Sequence, residues 1–214
     1  MKWIIAIGLL AGSSAWAGLR WEASTQTLKV HPTQIEAMAV FRFSNAGDQL
    51  VTLSSVNVTC GCLAPRLDKR TYAPGESGEL AVKFDLRNRT GKQHKATVVK
   101  TSDGATVSLF IDADIPKSYD IAPIMMTWAG DNPAATKTAK LTNSNKEPIK
   151  LLSVASSHKA LPAELKTIRE GFEYEVVVTR LPAAKNARSV VRITTEPPPG
   201  QTEAKTLKFY VHVK

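Results

Sequence analysis

Cysteine is almost missing from this chain: 214 residues carry two, Cys60 and Cys62. Alone they fall short of the four ligands a structural zinc site takes. Histidine is equally scarce, at His31, His94, His158 and His212. No H-E-x-x-H pair, G-x-S-x-G elbow or phosphate-cradling glycine loop occurs. Carboxylates are plentiful, but none stands in a recognisable acid–base pair. Asp112 and Asp114 share strand parity and read as a charged, solvated edge. The long helical periodicity of an α/β enzyme is lacking too. No catalytic residue is therefore assigned, and an enzyme is not expected. A basic helix and an aromatic stacking motif are both absent, which excludes nucleic acid as the expected partner.

Long apolar runs are absent except at the start. Met1 and Lys2 precede an apolar stretch from Trp3 to Leu10, and small residues lead to Ala15-Trp16-Ala17. A positive start, a short greasy run and an A-x-A site, in that order, predict a secretory signal peptide over residues 1–17. The run is shorter than the roughly 20 residues a bilayer span needs. No cysteine follows Ala17, which argues against a lipoprotein anchor. The mature chain is thus expected to be exported, periplasmic or extracellular, with no transmembrane segment.

The net charge is +9, and the mature chain without Lys2 keeps +8. The segment 18–116 has 12 basic and 10 acidic residues, whereas 117–214 has 15 and 9. That surplus suits an anionic surface component such as lipopolysaccharide, an acidic glycan or a lipid headgroup. The plainer reading is a set of scattered lysines that keep the chain soluble.

What is present is a repeat. Phe41-Arg42-Phe43-Ser44-Asn45 leads through a polar turn to Val51-Thr52-Leu53-Ser54-Ser55-Val56. At an offset of 98, Ala139-Lys140-Leu141-Thr142-Asn143 leads to Ile149-Lys150-Leu151-Leu152-Ser153-Val154. Gly47 and Asn145 stand where such a turn calls for positive φ. Further on, Leu80, Val82 and Phe84 alternate as Tyr174, Val176 and Val178 do. Val107, Leu109 and Ile111 correspond to Leu207, Phe209 and Val211. Period-two alternation puts each set on one sheet face. About seven short strands per unit, punctuated by turns such as Pro74-Gly75 and Pro197 to Gly200, predict two tandem immunoglobulin-like β-sandwiches. The first spans 18–116 and the second 117–214. Leu161 to Arg169 has helix-like composition but is too short to alter an all-β class.

The chemistry-bearing motif is Cys60-Gly61-Cys62, at the end of the strand closing with Val58-Thr59. An oxidising compartment allows a disulfide, although so tight a loop strains the link and eases its reduction. Gly61 is expected to relax the backbone enough for the sulfurs to meet. Three readings stand beside inert thiols: a local disulfide, a soft-metal site for Cu(I) or zinc, and thiol exchange or pairing with a partner. His94 is a candidate further ligand for the metal reading. In the second unit the corresponding positions are His158 and Ala160, so the sandwich is expected to fold without the sulfurs. Asn57-Val58-Thr59 and Asn88-Arg89-Thr90 match the glycosylation sequon, relevant only in a eukaryotic secretory pathway.

The stretch from Phe41 to Pro116 resembles the bacterial family called domain of unknown function 1573. The resemblance is carried by the run Phe41 to Gly47, the run Asn57 to Cys62, and the Pro74-Gly75-Glu76 turn. The strand Val82 to Asp85, Gly91, the Thr-Ser-Asp at Ser102 and the closing strand Val107 to Ala113 complete it. It implies an exported bacterial immunoglobulin-like sandwich, more distantly similar to the major sperm protein and PapD-chaperone type. It implies no catalytic residues. The second unit lacks the Cys-Gly-Cys signature. The resulting expectation is an envelope protein that binds a partner protein or ligand or plays a structural part. The competing expectation is a thiol-redox or copper-binding role at Cys60 and Cys62.

Overall fold

The computed structural model describes residues 18–129 and 136–214. The expected signal peptide, residues 1–17, lies outside the described residues. Seventeen strands and no helix are found among them. In chain order the first nine are β1 (Leu19–Trp21), β2 (Thr25–Leu28), β3 (Glu36–Asn45), β4 (Val51–Val58), β5 (Leu63–Arg66), β6 (Thr71–Tyr72), β7 (Ser77–Asp85), β8 (Gly91–Thr101) and β9 (Thr106–Ile115). Then come β10 (Asp120–Ala122), β11 (Met125–Trp128), β12 (Thr136–Thr142), β13 (Leu151–Ser156), β14 (Ala163–Arg169), β15 (Glu173–Thr179), β16 (Arg188–Thr195) and β17 (Thr206–Val213).

Four sheets form, ordered β1-β3-β7-β5, β2-β9-β8-β4-β6, β10-β12-β15-β14 and β11-β17-β16-β13. The last two sheets repeat the first two strand for strand, except that β6 has no counterpart. Each unit opens with a strand in one sheet, then crosses so that its second strand runs parallel to its last: β2 beside β9, β11 beside β17. All other pairings are antiparallel. The all-β sandwich class is therefore the fold of this chain.

Alternation explains the burial. Ala39, Phe41 and Phe43 on β3 face Leu80, Val82 and Phe84 on β7, and with Leu109 and Ile111 they form one core. Ala139 and Leu141, Tyr174, Val176 and Val178, and Phe209 and Val211 form another. Fully burying each of the larger aliphatic and phenylalanine side chains contributes about 1.5–3 kcal/mol. The two cores share no residue.

The segment with helix-like composition is strand β14, paired along β15. Ala163 and Leu165 pack on the second core, so alternating burial and sheet pairing override the local preference. Asp112 and Asp114 do not mark an edge either, because β9 lies between β2 and β8. The units hold nine and eight strands against the seven expected. The extra ones are pieces as short as the two-residue β6, which carry no readable period.

The turns after β3 and β12 are closed by one device. Asn45 is buried and donates Nδ2 to the carbonyls of Gln49 and Tyr72, while its Oδ1 accepts from the Gly47 amide. Asn143 donates to Glu147 and Gly171 and accepts from the Asn145 amide. These carboxamides hold the loop through side-chain bonds. The positive φ expected at 47 and 145 falls instead on Gly75 and Gly171, at 76° and 78°.

Polar contacts join the two units. Ser118 Oγ donates to the Pro32 carbonyl at 2.6 Å, and the Lys205 amide donates to the Thr33 carbonyl at 2.9 Å. Lys205 Nζ reaches the Arg89 carbonyl at 3.3 Å. Thr33, Ser118 and Lys205 are all buried.

Candidate functional site

Cys60, Gly61 and Cys62 form the turn at which the chain leaves β4 and enters β5. Those strands belong to opposite sheets of the first sandwich, so the turn is a crossing from one layer to the other. The Leu63 amide closes it onto the Cys60 carbonyl at 3.3 Å. The Cys62 carbonyl accepts from the Asp85 amide at 2.9 Å, fixing the turn to the end of β7. On its other flank Thr59 bonds Ala96 on β8 twice, through its amide and its hydroxyl. The two sulfurs are joined as a disulfide, with the Cα atoms 5.2 Å apart. Cys62 is buried within the core, and Cys60 is half-buried at its margin.

Gly61 does not play the part expected of it. Its φ is not in the left-handed region, and a Cβ built there would meet nothing within 4 Å. The turn therefore has room for a side chain at this position.

The matching crossing in the second unit, from β13 to β14, has the same skeleton. The Leu161 amide donates to the His158 carbonyl at 3.0 Å, as Leu63 does to Cys60. Ser157 bonds Val190 through its amide and hydroxyl, as Thr59 does Ala96. The covalent link is replaced by a hydrogen bond: the Ala160 amide donates to His158 Nδ1 at 3.2 Å. Ala160 is buried where Cys62 is buried.

The structure does not bring His94 into a ligand set with the sulfurs. Its Nδ1 bonds Asp112 Oδ1 at 2.6 Å, and its ring stacks on Phe110 on the solvent side of the sheet. Among the described residues no three His, Cys, Asp or Glu side chains gather around a common point. Two sulfurs already bonded to each other offer no thiolate to a soft metal. His31 is taken up locally, with Nδ1 2.9 Å from Thr33 Oγ1. Asn57 and Asn88 of the sequons are both exposed.

Burial and hydrogen bonding shift a few titratable groups. Burial pushes the Tyr119 hydroxyl well above its ordinary range, and that hydroxyl donates to the Ile149 carbonyl. Burial holds the Lys205 ammonium below its ordinary value. A hydrogen bond from Thr101 holds the Asp103 carboxyl low. None of these groups adjoins the disulfide in sequence, and perturbed groups of this kind are structural as often as functional. Among the described residues no helix is long and apolar enough to cross a membrane.

No curated protein matches the chain. Among solved structures, it is similar to a protein of unknown function from Porphyromonas gingivalis W83, at 14% identity, TM-score 0.37, and coverage of 92% of this chain and 100% of that one. It is similar to the YadV chaperone at 10% identity and TM-score 0.37, covering 90% of this chain and 100% of the other. Similarity to the VesB protease of Vibrio cholerae, at 16% identity and TM-score 0.38, covers 45% of this chain and 32% of that one. This chain thus spans about a third of that protease's length. Residues 19–115, the sandwich that carries the disulfide, match the family described as Protein of unknown function (DUF1573).

Proposed function

We propose that the chain is an exported envelope module that binds a partner and performs no chemistry on it, with one unit over 18–116 and the other over 117–214. The observation that supports this reading is the joint between them. Main-chain carbonyls of Pro32, Thr33 and Arg89 accept from Ser118 and Lys205 at a buried seam. Two sandwiches tied in this way present their sheet faces and open edges from a single platform. Such edges and faces are where β-sandwiches commonly take a partner; that step is an analogy from fold to function. The test is cross-linking of the purified chain in envelope extract from its source, using photoreactive residues on each sheet face in turn. A reproducible partner, cross-linked from one face and not from the others, is expected. Recovery of no specific partner from any face would discard the reading.

The competing thiol reading makes a different prediction. Intact mass with and without reductant and alkylation would show a mixture of oxidised and reduced chains, or metal at stoichiometric level. The equivalent turn at His158 and Ala160, closed with no sulfur, supports a local structural role for the disulfide.

A further inference from the structure

The outer face of the sheet formed by β11, β17 and β16 is organised in three rungs. Strands β16 and β17 pair Arg188 with His212, Val190 with Tyr210, and Arg192 with Lys208. Met125 on β11 pairs with Tyr210 and lengthens the middle rung. The intervening residues Ser189, Val191, Phe209 and Val211 are buried, so the rung residues point away from the core. Met125 and Tyr210 are 52% and 39% exposed. A groove of about 340 Å³ opens here, lined by Met125, Ser157, Arg188, Val190, Tyr210 and His212.

An apolar rung thus lies between two basic ones. Arg188, Arg192 and Lys208 are exposed. None of them has a carboxylate partner among the described residues, although lysines and arginines form surface ion pairs at seven other places. Same-face residues along a strand stand about 7 Å apart. An extended peptide has that same spacing between its own alternate side chains. An acid-x-apolar-x-acid segment laid along the strands therefore places an apolar side chain over Val190 and Tyr210 and a carboxylate over each basic rung.

Resting on the binding reading above, we propose that this face docks an acidic, extended protein segment with a central apolar or aromatic anchor. Concavity favours a protruding side chain over a flat lipid surface. The second unit also holds most of the chain's positive surplus, 15 basic against 9 acidic residues, which steers an acidic partner towards it.

The test uses the full mature chain and fluorescent synthetic peptides. One carries glutamates two residues either side of a tryptophan; a second has lysines for the glutamates; a third has alanine for the tryptophan. Vesicles of anionic phosphatidylglycerol form the lipid arm. The first peptide is expected to bind saturably, more weakly as salt rises, and at least about tenfold more tightly than the other two. Arg192→Glu is expected to weaken that preference, and the combined Arg188→Glu, Arg192→Glu, Lys208→Glu chain to transfer it to the lysine peptide, a swap that a folding defect cannot produce. Equal binding of the glutamate and lysine peptides, or no saturable binding, overturns the proposal. Binding of vesicles without the peptide also overturns it and assigns the face to lipid. If Arg192→Glu and Tyr210→Ala chains still capture the envelope partner of the wild type, the docking proposal fails and the binding module stands. If the wild type captures none, it is the broader reading that fails.

Discussion

The amide of Ala160 donates to Nδ1 of His158 across the same turn that the first unit closes with the Cys60–Cys62 disulfide. Backbone bonds on both flanks of the two turns correspond as well. The sulfur link is thus added to a turn that already has its own hydrogen bonds. Its contribution is then the small one of closing a very short loop in the unfolded chain, about 1.5 kcal/mol on the chain-entropy view. A Cys60→Ser, Cys62→Ala variant, which gives the buried position the residue found at Ala160, is expected to fold, with an unfolding free energy lowered by about that amount, a correspondingly lower urea midpoint and an unchanged denaturant slope. Loss of the folded state would show that the disulfide holds the layers together.

Gly61 and Gly171 offer a contrast within one chain. Gly171 sits at a φ of 78°, and a Cβ there would lie 2.4 Å from Pro148 Cβ. Gly171→Ala is expected to cost roughly 2 kcal/mol or more, since strain and overlap add. Gly61→Ala meets open space and ordinary φ. It should change stability by less than about 1 kcal/mol, with stabilisation allowed, and oxidise to the same intact mass. A Gly61→Ala protein unable to form the disulfide would restore the flexibility argument made from sequence.

Asn45 and Asn143 each satisfy two main-chain carbonyls and one amide from a buried position. Truncation to alanine removes all three bonds at each turn, although the Gly171 carbonyl keeps the Ile149 amide, at a cost of about 1–3 kcal/mol. Aspartate in their place loses the two donated bonds and should cost at least as much. Exposed Asn57 is the control and should change stability by no more than about 0.5 kcal/mol. Equal, small effects at all three positions would show that the loops hold without these side chains.

The sequence made the two-fold design legible because buried alternation leaves a direct trace. Leu80, Val82 and Phe84 and their counterparts Tyr174, Val176 and Val178 announce strand and inward face together. Asn45 and Asn143 were visible as a matched pair at an offset of 98, but not as loop clamps, because their partners are carbonyls with no side-chain signature. Edge strands such as β1 and β6 are two or three residues long, below the length at which a period can be read. Lys205 was indistinguishable from its neighbours, since its partners Thr33 and Arg89 come from the other unit, more than a hundred residues away in the chain. The basic and apolar rungs alternate plainly in Arg188, Val190 and Arg192. They become a surface only when β17 supplies Lys208, Tyr210 and His212 in register.

Lys205 carries the pH dependence of the joint. Burial holds its ammonium below the ordinary value of 10.5, while Nζ donates to the Arg89 carbonyl. Between the lowered folded value and 10.5 the unfolded chain binds more protons at this residue than the folded chain does. Stability from this group therefore rises with pH across that window and is lowest below it, where the charged form is buried. Lys205→Met cannot titrate. Tyr72 and Tyr119, both raised by burial, favour unfolding above pH 10 and act alike in both proteins. The difference in unfolding free energy between wild type and Lys205→Met is thus expected to move in favour of the wild type from pH 7 to pH 10. Urea titrations at each pH measure it. A difference flat with pH would mean that the ammonium is solvated, and that the seam between the units is open at Arg89.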